Sequence, residues 1–128
     1  MAHILVVDDQ PEVAEFVQAV LEGEGHAADA VYSGRAALEC LARTLYDLVV
    51  CDVRMPDVDG KAVFRAVAQL GPSRPVVLFM TGYGDGGAES DFLQTTAAVV
   101  LAKPLGIDAL LERVRCLLTP GHGPPAAR

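Results

Sequence analysis

The 128-residue sequence is short of basic charge, of cysteine and of long apolar runs. Ten Lys and Arg face seventeen Asp and Glu, for a formal net charge of −7. A protein that grips nucleic acid by neutralising phosphates needs a basic face, so this balance argues against direct nucleic-acid binding. No uninterrupted apolar stretch reaches the roughly 18 residues of a membrane-spanning helix. The N-terminal residues Met-Ala-His-Ile-Leu-Val-Val-Asp-Asp have no basic segment and too short an apolar run for a secretory signal. Cys40, Cys51 and Cys116 are odd in number, widely spaced and form no CxxC pair. They fit neither a zinc site nor a disulfide framework and read as core thiols in a reducing cytoplasm.

What is present is the material of one globular domain. Hydrophobic residues make up 52% of the chain and charged residues 21%, the balance of a chain with a buried core. At this size the core needs no metal or disulfide to hold it. Continuous apolar runs recur: Ile4–Val7, Leu48–Cys51, Val76–Met80 and Ala97–Leu101, with a weaker one at Ala27–Val31. Runs apolar on both faces are what parallel strands covered by helices require. Between them lie segments of helical spacing. Pro11–Leu21 starts with a first-turn proline and stops at Gly23 or Gly25, and Ser33 suits the N-cap of a helix through Leu41. Lys61–Leu70 stops at Gly71-Pro72, Gly86–Thr96 is a weaker helix, and Ile107–Leu118 closes the series. Five strands alternating with five helices predict an α/β fold, a doubly wound five-stranded parallel sheet. Residues 1–118 form the expected domain. Residues 119–128, rich in Pro and Gly, read as a disordered tail or linker stub.

In an open parallel sheet, ligands bind beyond the carboxyl ends of the strands. The first apolar run ends in Asp8 and Asp9, the third strand in Asp52, the fourth in Thr81 and the fifth in Lys103. Three carboxylates brought together repel one another and call for a cation, and all-oxygen ligands suit Mg²⁺ or Mn²⁺. Lys103 is a point charge for a phosphate or a carboxylate, and Thr81 can donate to an anionic oxygen. These are the parts of a phosphoryl-transfer site. With no Ser, Cys or His placed as nucleophile, the acceptor would be an aspartate forming an acyl phosphate. His3, His26 and His122 stand apart from this rim. The first two read as structural or solvated and the last as part of the tail.

The sequence resembles the receiver domain of two-component response regulators. The likeness rests on Val7-Asp8-Asp9, on Asp52-Val-Arg-Met-Pro-Asp-Val-Asp-Gly60, on Thr81-Gly82 and on Lys103-Pro104, in order over residues 3–118. It implies the flavodoxin-like strand order 2-1-3-4-5, and that Asp52 is the phosphoacceptor. Asp9, Asp52 and the backbone carbonyl of Arg54 would ligate Mg²⁺, and Asp8 would hold it through water. Lys103 would bind a phosphoryl oxygen, Thr81 would be the switch hydroxyl, and Lys103-Pro104 would be a cis peptide. The implied partners are a sensor histidine kinase or a histidine phosphotransfer protein upstream and a protein target downstream. The implied chemistry is the protein's own phosphorylation and dephosphorylation only. The chain ends soon after the last helix, which fits a stand-alone domain or a fragment of a larger regulator or hybrid kinase.

Three departures from the family pattern stand out. Val100 occupies the place of the usual aromatic switch partner, and Arg54 and Tyr83 flank the expected path of the hydrolytic water. Thr95-Thr96 stand where a glycine usually turns the chain into the fifth strand. Two other readings compete. A haloacid-dehalogenase-type phosphatase also phosphorylates an aspartate beside Mg²⁺, but it wants Asp-x-Asp on the first strand, where Asp8-Asp9 are adjacent. A receiver-fold binding module working without phosphorylation would be expected to lack Asp9, Asp52 or Lys103. Gly82–Gly87 also fits GxGxxG, though without an acid at the end of the next strand. A calcium loop over Asp57-Val-Asp59-Gly60 fails, with Met55 and Ala66 at its first and last ligand positions.

Overall fold

The computed structural model describes residues 2–71, 74–81, 99–102 and 106–118. Within these, strands β1 (His3–Val7), β2 (Ala27–Val31), β3 (Leu48–Asp52), β4 (Val76–Thr81) and β5 (Val99–Ala102) form one sheet. Its order is β2-β1-β3-β4-β5, and all neighbours are parallel. Helices α1 (Pro11–Gly23), α2 (Gly34–Arg43), α3 (Gly60–Ala68) and α4 (Ile107–Leu118) complete the described elements. This is the predicted doubly wound fold. The predicted helix over 86–96, Lys103-Pro104 and the tail 119–128 lie outside the described residues.

The alternation of strand side chains divides the core into two layers. Leu5, Val7, Val49, Cys51, Val77 and Phe79 face α2 and α3, where they meet Ala37, Leu41, Val63 and Val67. Ile4, Val6, Leu48, Val50, Leu78 and Met80 face the other way, toward Ala14, Val17 and Leu21 of α1 and Leu110 and Val114 of α4. Each fully buried aliphatic side chain contributes about 1.5–3 kcal/mol, so both layers are needed to offset the entropy of ordering the chain. Two-sided burial explains why β1, β3 and β4 were continuous apolar runs in the sequence. Edge strand β2 alternates only weakly, with just Ala28 fully buried.

Local signals set the helix ends. Pro11 opens α1, and its last turn closes through His26 N–H to the Leu21 carbonyl and Gly25 N–H to the Glu22 carbonyl, at 3.2 and 3.0 Å. Ser33 caps α2 by accepting from the Ala36 N–H at 3.1 Å, as the sequence indicated. Asp59 caps α3 in the same way, accepting from Ala62 N–H at 3.1 Å. That helix therefore starts at Gly60, one residue before the predicted Lys61, and ends at Ala68, before Leu70. Of the three cysteines, all free, only Cys51 is buried. Cys40 and Cys116 are half-buried, so the expectation of three core thiols holds for one.

Candidate phosphoacceptor and cation site

Strand register brings the site together. Val7 of β1 lies beside Cys51 of β3, and Asp52 lies beside Met80 of β4. The next residues along β1 and β4, Asp8 and Thr81, therefore flank Asp52 on neighbouring strands. The carboxyl ends of β1 and β3 are also where the chain reverses its direction of winding, since β2 and β3 lie on opposite sides of β1. The crevice left there is the usual ligand position in such sheets.

Asp8, Asp9 and Asp52 present carboxylate oxygens within 4.8 Å of one another. Asp8 is fully buried and Asp52 is 8% exposed, whereas Asp9 faces solvent. One Asp8 oxygen accepts from the Gln10 N–H at 2.9 Å, and the Asp8 N–H donates to the Val31 carbonyl at 3.2 Å. These bonds fix the Asp8 side chain against the rim. Two ionised carboxylates at this spacing repel by about 3 kcal/mol at an effective dielectric constant near 20. Hydrogen bonds from neutral donors offset such repulsion only in part. The donor set is hard oxygen, it is preassembled, and it suits a small divalent cation such as Mg²⁺.

Beside Asp9 opens a cavity of about 400 Å³, walled by Val53, Arg54, Met55, Pro56 and Asp59. The loop from Val53 to Asp59 follows directly on Asp52. Val53 N–H donates to the Met80 carbonyl at 3.2 Å, which ties the loop to β4. The Arg54 side chain is exposed at the rim, and Thr81, at the end of β4, is half-buried. Beneath Asp52, the Cys51 thiol donates to the Asp52 backbone carbonyl at 3.2 Å. Burial, with the nearby carboxylates of Asp52, Asp8 and Asp59, pushes its pKa well above the ordinary thiol value. It is a neutral core side chain and no nucleophile.

The structure thus unites Asp8, Asp9 and Asp52 and sets Thr81 and Arg54 at the same rim. Lys103 and Tyr83 lie outside the described residues. Val100 pairs in register with Phe79 and packs against the layer under α2 and α3. The sequence reading gave Asp59 no part in the site. Its double position, capping α3 and lining the cavity, follows from the Asp-Gly that begins the helix, a signal visible in the sequence as an N-cap pair.

A family model described as response regulator receiver domain matches residues 4–115. The chain belongs to this family. Receiver domains are phosphoacceptor signalling switches, so the match favours that reading over the phosphatase. The transcriptional regulatory protein ZraR of Escherichia coli (strain K12) is 40% identical over 119 residues, covering 93% of this chain and 27% of that protein. CutR of Streptomyces coelicolor, also a transcriptional regulatory protein, is 40% identical over 116 residues, covering 90% of this chain and 52% of that one. The chain thus spans between about a quarter and a half of the length of these relatives. Among solved structures, a receiver domain of a signal transduction histidine kinase from Syntrophus aciditrophicus is 29% identical. It superposes with a TM-score of 0.80 over 92% of this chain and 90% of that one. A response regulator from Chloroflexus aurantiacus is 32% identical, with a TM-score of 0.79 over 91% and 97% of the two chains.

Proposed function

We propose that Asp52 accepts a phosphoryl group from a phosphohistidine of a sensor kinase or phosphotransfer protein. The observation that carries this reading is the convergence of Asp8, Asp9 and Asp52 within 4.8 Å at the carboxyl ends of β1 and β3. Asp52 is the member on the central strand, with Thr81 one step along the next strand. Asp9, Asp52 and the Arg54 carbonyl would hold Mg²⁺, with Asp8 acting through water. The bound cation would neutralise the carboxylates and the charge on the phosphoryl oxygens. An Asp52 carboxylate oxygen forms the new bond to phosphorus as the phosphorus–nitrogen bond breaks. The electron pair of that bond stays on the imidazole of the donor. Lys103 would take one phosphoryl oxygen. Thr81 would donate a charge-assisted hydrogen bond to the new anion.

The receiver unit is taken as residues 1–118. It would work in the cytoplasm and signal through protein–protein contact without touching nucleic acid itself. No described helix is long and apolar enough to cross a membrane. Arg54 at the rim, together with Tyr83, would screen the acyl phosphate from water and prolong its life. Val100, held against the core, has one short branched side chain with few rotamers, so the switch would run through the segment after Thr81.

The test is labelling from acetyl phosphate with and without Mg²⁺. Wild-type protein should be labelled only with the cation, and Asp52→Asn should lose the label while keeping its fold. Label retained in Asp52→Asn would defeat the assignment. A wild-type protein that takes no label would favour the binding module instead.

A further inference from the structure

The wall of the site is held by a helix that contributes nothing to its chemistry. The loop from Val53 to Asp59 lines the cavity beside Asp9. Its two ends are fixed to the site. The Gly60 N–H donates to the Val53 carbonyl at 2.9 Å, and a β-carbon on Gly60 would stand 2.6 Å from the Asp52 carbonyl oxygen. Its middle rests on α2. A β-carbon on Gly34, the first residue of that helix, would overlap the Val58 carbonyl oxygen and lie 2.8 Å from both the carbonyl carbon and the β-carbon of Val58. Separations under 3.0 Å do not occur for real β-carbons, so something would have to move.

Little on the α2 side can move. Gly34 is buried, Ser33 pins the first turn through Ala36, and Ala37 and Leu41 are locked into the core one and two turns on. The displacement would fall on the loop. There the residue before Val58, Asp57, already sits in the left-handed region at φ 67°. An L-residue held there is strained by about 1 kcal/mol, and this limits how freely the loop can yield at that point. A push at Val58 therefore travels along the loop to the Arg54–Asp59 wall.

We propose that Gly34 is a positioning residue for the cation and phosphoryl site. Its missing side chain lets Val58 seat on α2, and that seat holds the loop at the distance Asp9 and Asp52 require. The inference rests on the reading of Asp52 and its cation given above. It assigns to α2, a helix remote in sequence from every ligand, control over how tightly the cation is held.

The experiment is calorimetric titration of the unphosphorylated protein with Mg²⁺, paired with labelling rates from acetyl phosphate. Gly34→Ala, shown folded by a cooperative melt, should raise the Mg²⁺ Kd about tenfold, as loss of outer support typically does. Its labelling rate at saturating Mg²⁺ should stay within about twofold of wild type, since the chemistry itself is untouched. Adding Asp57→Gly to Gly34→Ala should restore most of the affinity, because glycine absorbs the displacement before it reaches Arg54. Gly23→Ala, at a helix end with open space around it, should change nothing. A folded Gly34→Ala with wild-type Kd, or a double variant with no recovery, would overturn the inference. If Gly34→Ala does not fold, Val58→Gly takes its place. It removes the side-chain half of the contact and should raise Kd by up to about tenfold, and an unchanged Kd there overturns the inference equally. Wild-type protein that neither binds Mg²⁺ nor takes label would instead overturn the Asp52 reading.

Discussion

The polar groups at the two ends of the sheet are arranged in opposite ways. At the amino-terminal end, donors and acceptors are matched. His3 and Asp47 exchange backbone and side-chain bonds, with His3 N–H to the Asp47 carboxylate at 2.9 Å and Asp47 N–H to the His3 carbonyl at 2.8 Å. One Asp29 oxygen meets both the His3 imidazole, at 2.9 Å, and the Tyr46 hydroxyl, at 2.8 Å. The His3 and Tyr46 rings are tilted against each other, with centroids 4.5 Å apart. The His26 ring accepts from the Ala2 N–H at 3.1 Å. At the carboxyl end, three acids are gathered within 4.8 Å, two of them buried. Matched groups tie the edge strand and the α2–β3 connection to β1, which is architecture. Crowded like charges repel one another and cost stability in the bare protein. The same fold matches its polar residues at one end and crowds them at the other.

The largest way to break the contrast is to remove the centre of the matched end. Tyr46 is 5% exposed, and Tyr46→Ala should cost about 3 kcal/mol through the emptied space and the lost Asp29 bond. Denaturant melts check the loss. The acetyl phosphate labelling rate of the folded fraction should be unchanged. A labelling defect as large as the stability defect would mean that the two ends are not separable.

Alkaline pH should act on buried neutral groups at both ends. Burial and the neighbouring carboxylates raise the Cys51 thiol above its ordinary 9.0, and burial with the Asp29 bond raises Tyr46 above 10.0. In each case the folded state holds its proton more tightly than the unfolded chain. The stabilisation is complete below the unfolded pKa and is lost as pH rises toward the folded one. Stability should therefore be flat up to about pH 9 and fall beyond it. In Cys51→Ala the fall should begin about one pH unit higher, where the tyrosine takes over. Urea midpoints from pH 7 to 11 would show whether the onset shifts.

The crowded end gives a smaller effect of opposite sign. Asp9→Asn should stabilise the metal-free protein by about 1 kcal/mol, the bare repulsion discounted because Asp9 is exposed. It should also abolish stabilisation by Mg²⁺. Melting curves with and without the cation decide this, and an Asp9→Asn protein less stable than wild type yet still raised by Mg²⁺ would contradict the cation site. The smallest effect belongs to an exposed ion pair between the C-terminal ends of α1 and α4. Arg115 and Glu24 are 3.5 Å apart with side chains 65% and 41% exposed, so Glu24→Ala should change stability by no more than about 0.5 kcal/mol.

The site was more legible in the sequence than its supports were. Asp8, Asp9, Asp52 and Thr81 could be placed because each directly ends or follows a strongly apolar run. Parallel strands of similar length then put those ends on one rim. The matched cluster was not legible. His3, Asp29 and Tyr46 come from three separate segments, and only the register His3 with Ala27 and Leu5 with Asp29 brings them together. The seat of Val58 on Gly34 was invisible for the same reason: contact between a loop and a helix start leaves no periodic trace. Edge strand β2 was the weak strand in both views, since Ala27-Ala-Asp-Ala-Val31 carries a single β-branched residue and little apolar surface.

The most direct test is to locate the acyl phosphate itself. Protein phosphorylated by acetyl phosphate in Mg²⁺ should be trapped chemically, digested and mapped by mass. The modification is expected on Asp52 alone, at the end of the central strand. A label on Asp8, Asp9 or Asp57, or one spread among them, would contradict the assignment of the carboxyl end as a site built around one acceptor.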